Sequence, residues 1–155
     1  MTSNRWQRQY KKAGHIMILG YTTGVFDLFH VGHVRMLNNA KSLCDKLVVG
    51  VSTDELVREY KNKCTVIPFA ERLEIVKNMN CVDVAVPQTT RDKFDAWKRY
   101  GFNIMFVGDD WYQNDKWKGF EEQFNDVNVK IVYFPYTQST SSTLINETLQ
   151  RLRNI

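Results

Sequence analysis

The stretch GVFDLFHVGH, Gly24 to His33, decides the fold that this sequence predicts. The apolar run 16–19 precedes it and indicates a strand, whereas residues 34–41 have the spacing of one side of a helix. His30 and His33 therefore lie where a strand turns into a helix, and residues three apart on a helix share a face. A helix N-terminus binds phosphate readily, so two imidazoles aimed at one point suit a reaction that builds negative charge on a phosphoryl group.

Strand-like apolar runs recur along the chain, with helical patterns between them. The sequence predicts strands at 16–21, 47–51, 82–86, 104–107 and 129–134, the third of which ends at Pro87. It predicts helices near 32–43, 53–58, 71–78, 91–100 and from Ser142 onward, and Gly101 ends the fourth. This alternation indicates an α/β fold with a doubly wound, Rossmann-like, five-stranded parallel sheet and helices on both faces. Ligands of such sheets lie beyond the carboxyl ends of the strands.

Composition limits the possible classes of protein. The chain has 155 residues, 43% hydrophobic and 25% charged, which is typical of one globular domain. We expect no membrane span and no secretory signal, because the apolar runs are short. Three cysteines without CxxC spacing indicate reduced thiols and a cytoplasmic protein. The net charge of +4 matches the basic residues before position 14, which we interpret as a loose extension rather than a nucleic-acid-binding arm.

The decapeptide resembles the HxGH signature of the nucleotidylyltransferase superfamily, and its fuller form resembles the cytidylyltransferase branch. Two further elements follow in the order of that branch: GDDW at Gly108 to Trp111, and STSST at Ser139 to Thr143. In length and layout the chain is most similar to bacterial glycerol-3-phosphate cytidylyltransferases. With the basic extension at 1–14 set apart on its charge, the resemblance implies a single nucleotidylyltransferase domain at 15–155.

The implied reaction transfers CMP from CTP to a small alcohol phosphate, with glycerol-3-phosphate favoured, and yields a CDP-alcohol and pyrophosphate. Mg²⁺ would arrive with CTP and take no protein side chain as a ligand. The implied partners are CTP and a phosphorylated alcohol, without nucleic acid, and the implied assembly is a homodimer. Three alternatives stay open: a phosphocholine or phosphoethanolamine cytidylyltransferase, an ATP-using adenylyltransferase, and a CTP-binding module without catalysis.

The resemblance also assigns site residues. The N–H groups of His30 and His33 would stabilise the α-phosphate in the transition state. Lys61 and Lys63 would reach over the triphosphate as mobile point charges. The other predicted nucleotide-binding residues are Thr23, Gly24, Val25, Phe26, Asp27, Gly32, Asp110, Thr137, Ser141, Ser142 and Thr143.

Several of these residues have two interpretations. Asp27 would orient backbone N–H groups or a histidine ring, hold the metal, or only shape the turn. Asp110 would accept a hydrogen bond from the cytosine amino group, or cap a helix. The hydroxyls of Ser141 to Thr143 would face the β- and γ-phosphates, or form a plain N-cap.

A last group is predicted to bind the second substrate or to be structural: Arg72, Asp83, Trp111 and Tyr136. Arg72 would bind a phosphate in a fork-like manner or form an ion pair. Tyr136 and Asn80 stand where the family has arginines, so either other cations compensate or the second substrate differs. A tyrosine there suits a quaternary ammonium group through cation–π attraction.

Overall fold

The computed structural model describes residue 14 and residues 16–108, 114–135 and 139–154. The described residues form five strands: β1 Leu19–Gly24, β2 Lys46–Ser52, β3 Val84–Gln88, β4 Ile104–Gly108 and β5 Lys130–Phe134. They form six helices: α1 Val31–Ser42, α2 Asp54–Lys61, α3 Phe69–Lys77, α4 Lys93–Tyr100, α5 Asp115–Asp126 and α6 Ser142–Arg153. None of these helices is both long and apolar enough to pass through a bilayer.

All five strands are parallel, in the order β3-β2-β1-β4-β5. The chain builds outward from β1 to β3 on one side and then returns to place β4 against the other side of β1. This confirms the predicted doubly wound sheet. Since the order reverses between β1 and β4, their carboxyl ends border the crevice in which such folds bind ligands.

The sheet separates two hydrophobic clusters. On one face, Leu37 and Ala40 of α1 and Val76 of α3 pack against Leu47 and Val49 of β2. On the other face, Val48 and Tyr21 pack against α4 and α5. Adjacent residues of β2 thus point to opposite faces, as the two-residue period of a strand requires, and both faces are buried.

Local signals fix where several helices begin and end. The Asp92 carboxylate caps α4 by accepting the N–H of Phe94 at 2.9 Å, and the helix ends at Gly101, which has a φ of 64°. The predicted stop at Gly101 is therefore confirmed. Thr53 caps α2 in the same way through the N–H of Leu56.

Three sequence predictions about the elements were wrong. β1 begins at Leu19 and ends at Gly24, three residues later than predicted. Pro87 does not end β3 but lies inside it, opposite Val51. β3 is an edge strand, where a missing N–H is tolerated. Helix α5 was not predicted.

Candidate active site

The turn between β1 and α1 has an unusual backbone. Phe26 and Leu28 have φ values of 55° and 49°, in the left-handed region that residues other than glycine rarely adopt. Asp27 lies between them, and its carboxylate accepts the N–H of Leu28 at 3.1 Å. Such backbone strain persists where surrounding contacts hold it, and it is concentrated at functional sites.

Asp27 ties three segments together. Its carboxylate accepts the N–H groups of Val66 at 2.8 Å and Ile67 at 2.9 Å, in the loop between α2 and α3. Its backbone carbonyl accepts the hydroxyl of Ser142, at the start of α6. Of the interpretations of Asp27, the structure therefore shows the orientation of backbone N–H groups.

His30 and His33 cap α1 reciprocally. Nδ1 of His30 accepts the N–H of Gly32 at 3.0 Å, and Nδ1 of His33 accepts the N–H of His30 at 3.2 Å. The two ring centroids are 4.0 Å apart. Because Nδ1 is an acceptor in both rings, each neutral ring carries its proton on Nε2. The Nε2–H groups thus remain as donors for a ligand.

Burial keeps the two imidazoles neutral. It lowers the pKa of His33 to about 4, helped by the neighbouring His30 and opposed by the charge of Asp27. Burial also lowers the pKa of His30. The ring of Phe29 stacks on His33 with a centroid distance of 5.1 Å, which shields it from water. At neutral pH the pair therefore offers hydrogen-bond donors rather than acidic protons.

A cavity of about 260 Å³ brings together residues from distant parts of the chain. We call it the smaller cavity. It is lined by residues of the β1–α1 turn, the loop after α2 and the start of α6, including Asp27, His33, Lys61, Lys63, Ser142 and Thr143. The structure thus brings one histidine, both lysines and two hydroxyl residues of the prediction to one place.

A second cavity of about 690 Å³ lies beyond the carboxyl ends of β1, β2 and β4, and we call it the larger cavity. Thr23, Gly24 and Val25 line it at the end of β1, and Trp117 and Phe120 of α5 form an aromatic wall. Val25 and Lys61 line both cavities. The two cavities therefore adjoin at these two residues.

At the start of α6, the hydroxyls are engaged within the protein. Ser141 caps the helix by accepting the N–H of Leu144 at 3.1 Å, and Ser142 donates to the Asp27 carbonyl. The first N–H groups of a helix lack intrahelical partners and so remain suited to phosphate.

Arg72 has no exposed surface. Its guanidinium donates to the carbonyls of Val25 at 2.6 Å, Ser52 at 2.8 Å and Ile67 at 2.9 Å. It also forms an ion pair with Asp54 at 2.6 Å. These contacts place Arg72 behind the turn, where it joins the ends of β1 and β2 to the loop before α3.

Asp83 lies away from both cavities. Its carboxylate accepts Nζ of Lys41 at 2.6 Å and the N–H of Leu47 at 2.8 Å. Leu47 is near the amino end of β2, so Asp83 lies at the edge of the sheet opposite the cavities. Its contacts join α1 to β2.

Four predicted residues fall outside the described part of the chain: Asp110, Trp111, Tyr136 and Thr137. The sequence prediction missed Tyr60, Lys93 and Lys116, which line the larger cavity. A signal for Lys93 existed, because it follows the carboxyl end of a predicted strand and a residue, Asp92, of a type that caps helices. Among the described residues, no group of three or more His, Cys, Asp or Glu side chains is placed to hold a metal ion.

Comparison with known proteins identifies the family. The profile of the family described as Cytidylyltransferase-like matches residues 21–148. The chain belongs to this family. This cytidylyltransferase-like chain is 33% identical over 136 residues to glycerol-3-phosphate cytidylyltransferase of Bacillus subtilis, which covers 84% of this chain and 96% of that protein. It is 31% identical over 134 residues to FAD synthase of Thermococcus sibiricus, and the match covers 84% of this chain and 89% of that protein.

The fold of this cytidylyltransferase-like chain also matches solved structures. The lipopolysaccharide core biosynthesis protein of Thermoplasma volcanium superposes with a TM-score of 0.66 at 25% identity, over 80% of this chain and 99% of that one. The family and relatives support nucleotidyl transfer as the class of reaction. The relatives differ in the product they are named for, so similarity alone leaves the substrates undetermined.

Proposed function

We propose that this protein transfers CMP from CTP to the phosphate of a small alcohol phosphate, with glycerol-3-phosphate as the first acceptor to test, and releases pyrophosphate. One observation carries this proposal. Two neutral imidazoles with Nε2–H donors stand at the start of a helix, and one of them shares a cavity with Lys61 and Lys63. This is a set of donors and cations suited to a polyphosphate and to the charge that grows on its α-phosphorus.

In the proposed reaction, a phosphate oxygen of the acceptor attacks the α-phosphorus of CTP. The bond from that phosphorus to the bridging oxygen breaks, and pyrophosphate leaves with the electron pair. The acceptor phosphate is already ionised, so no side chain has to remove a proton. The Nε2–H groups of His30 and His33 would stabilise the crowded α-phosphate, while Lys61 and Lys63 hold the charged oxygens. Mg²⁺, bound by oxygens of the triphosphate, would supply further charge neutralisation.

A second candidate is transfer of AMP from ATP to a flavin phosphate. Two observations favour it: the similarity to FAD synthases, and the aromatic wall of the larger cavity. Trp117 and Phe120 offer rings for a planar substrate. Asp110, which we propose to accept a hydrogen bond from cytosine, does not discriminate strongly, because adenine also has an exocyclic amine.

A pyrophosphate-release screen tests these candidates. CTP and ATP are each combined with glycerol-3-phosphate, phosphocholine, phosphoethanolamine and riboflavin phosphate in the presence of Mg²⁺. We expect release with CTP and glycerol-3-phosphate, and release slower on the order of 100-fold or more from the His33→Asn protein, which serves as the control for contaminating enzymes. Release only with ATP and the flavin phosphate supports the second candidate. Tight CTP binding without release from any pair contradicts catalysis and leaves a nucleotide-binding module.

A further inference from the structure

The larger cavity has two sides. Arg91 and Lys93 follow β3, and Tyr60 lies on α2 after β2, so these residues occupy the β2–β3 side of the switch point. Gly108 ends β4 on the other side, and Asp110, the residue proposed to bind the base, follows it. With the triphosphate in the smaller cavity and the base beyond β4, the β2–β3 side is the part left for the acceptor.

This side is strongly cationic. The described lining residues on this side include three cations, Lys61, Arg91 and Lys93, and one carboxylate, Asp92, whereas Lys116 lies on α5 after β4. Asp92 is already engaged, since it caps α4 through the N–H groups of Phe94 and Asp95. Neither Arg91 nor Lys93 forms an ion pair with a described residue. Asp92 keeps its charge beside Lys93, but the cations of the described lining on this side outnumber it three to one, so a ligand anion would meet a net positive charge.

The charged form of Lys93 is destabilised by its position beside another cation. Lys93 is partly buried at the first position of α4. Burial lowers the pKa of Lys93 to about 8. The neighbouring Arg91 cation lowers this pKa further, and the charge of Asp92 opposes the shift. An anion bound beside Lys93 would stabilise its charged form, because an opposite charge at short range favours ionisation.

The surroundings of Tyr60 differ from those of an aromatic ring that binds a quaternary ammonium group. Aromatic rings bind such cations through their faces. Here the Arg91 guanidinium lies 5.1 Å from the centroid of the Tyr60 ring, and Nζ of Lys61 lies 5.5 Å from it. The ring thus already interacts with two protein cations, and a cationic head group would meet like charges.

We propose that Arg91 and Lys93 select the acceptor by charge: they favour phosphate esters whose non-phosphate end is anionic or uncharged, and they reject cationic head groups. This inference rests on the proposed transfer reaction for the meaning of the acceptor. It assigns to the β2–β3 side of the larger cavity a substrate class that excludes phosphocholine and phosphoethanolamine.

The test compares three matched probes: 3-phosphoglycerate, glycerol-3-phosphate and phosphocholine. Calorimetry measures their binding to the full chain in the presence of Mg²⁺ and a CTP analogue with a methylene group between the α- and β-phosphorus atoms, which the reaction cannot consume. Steady-state assays with CTP measure kcat/KM. The variants are Arg91→Gln and Lys93→Gln, with Lys93→Arg as the variant that keeps the charge. Lys98→Gln is the control, because Lys98 is exposed on the same helix and lines neither cavity.

We expect the wild-type protein to bind 3-phosphoglycerate and glycerol-3-phosphate more tightly than phosphocholine. Each Gln variant should reduce the preference for 3-phosphoglycerate over phosphocholine by about 10-fold, the worth of one charged hydrogen bond. Lys93→Arg and Lys98→Gln should leave it unchanged. Equal preference in wild type and both Gln variants, or wild-type binding of phosphocholine as tight as that of 3-phosphoglycerate, overturns the inference.

The binding measurements keep this inference separate from the proposed reaction. If no acceptor gives pyrophosphate but the probes bind with the expected ranking, the reaction is contradicted and the charge selection stands. If pyrophosphate is released and the Gln variants do not change the ranking, the reaction stands and the charge selection is wrong.

Discussion

The backbone N–H of His30 donates to Nδ1 of His33 at 3.2 Å. Through this contact the ring proposed to bind phosphate also caps the first turn of α1. In the usual capping box a Ser or Thr and a Glu or Gln satisfy these N–H groups. Here two imidazoles do so, since His30 in turn accepts the N–H of Gly32. Each ring is fixed through Nδ1 and leaves Nε2–H available. The same hydrogen bonds therefore stabilise the helix and set the tautomer.

The first prediction separates these two roles of His33. In His33→Asn the amide oxygen lies near the position of Nδ1 and can still accept the N–H of His30, but no group replaces Nε2–H. We expect a folded protein whose kcat falls on the order of 100-fold or more, because a donor to a developing charge acts mainly in the transition state. Calorimetry of CTP binding should show little change.

His33→Gln provides the comparison for this prediction, since its amide N–H₂ lies nearer the position of Nε2 and should keep part of the rate. Circular dichroism and thermal melts establish that both variants fold. Normal kcat at saturating substrate, with weakened CTP binding, would show that His33 acts in binding alone.

The second prediction concerns pH. The pKa of His33 is about 4 in the folded protein against 6.5 ordinarily, so between these values the unfolded state binds more protons. Folding stability from this group is fully present above pH 6.5 and is lost as the pH falls toward 4. We expect the ring resonances of His33 in NMR spectra to show no titration between pH 8 and 5.5.

Urea unfolding at pH 7 and pH 5 gives the matching thermodynamic measurement. The loss of stability between these two values should be smaller in His33→Asn, which lacks the titrating group, while the carboxylates contribute equally to both proteins. A ring titration centred near pH 6.5 in folded wild type would contradict the burial argument.

The sequence predicted the sheet and part of the site because their signals are local. The spacing of apolar residues and the alternation of strands and helices predict the secondary structure. The carboxyl ends of parallel strands then lie at one edge of the sheet, which places the site. The spacing of Trp117, Phe120 and Phe124 is also typical of a helix face, although the prediction did not include α5. The orientation of backbone N–H groups was one of several roles predicted for Asp27. The choice among them could not be made, because its partners Val66 and Ile67 are about forty residues away and contribute only backbone N–H groups.

Backbone conformation and burial at individual positions could not be predicted from residue type. Nothing in the side chains of Phe26 and Leu28 indicates a left-handed backbone, which arises from the contacts around the turn. Arg72 matched a phosphate-binding pattern and a structural one equally well, and only its burial shows which contacts it makes. Asp83 was open to the same ambiguity, since the prediction placed it inside the third strand, whereas β3 begins only at Val84.

The third prediction measures the contacts of Arg72. Arg72→Met keeps much of the side-chain volume but removes the ion pair with Asp54 and the side-chain donor to three carbonyls. We expect the free energy of unfolding to fall by about 3–5 kcal/mol, because three carbonyls lose a donor at roughly 1–3 kcal/mol each, while the partly exposed Asp54 pair adds little. Urea denaturation measures it.

Lys118→Met is the control for Arg72→Met. Lys118 is exposed and pairs with Asp115 at 3.2 Å on the surface of α5, so its loss should cost less than about 1 kcal/mol. A loss of similar size in the two variants would mean that the buried guanidinium contributes no more than a surface pair.

The last prediction concerns Asp27. In Asp27→Asn one acceptor oxygen becomes an N–H₂ group, which cannot accept the N–H of Val66 or of Ile67. We expect unfolding free energy to fall by about 1–3 kcal/mol, the cost of an unsatisfied donor. We also expect KM for CTP to rise, because the loop that carries Lys63 into the smaller cavity loses its attachment to the turn. Amide exchange at Val66 and Ile67, measured by NMR, should accelerate selectively.

Asp95→Asn is the control for Asp27→Asn. It removes an exposed ion pair with Arg99 and should change neither amide exchange at Val66 and Ile67 nor the KM for CTP. If Asp27→Asn lowered kcat at unchanged KM and left amide exchange at Val66 and Ile67 as in wild type, Asp27 would act on the reacting phosphate rather than through the loop.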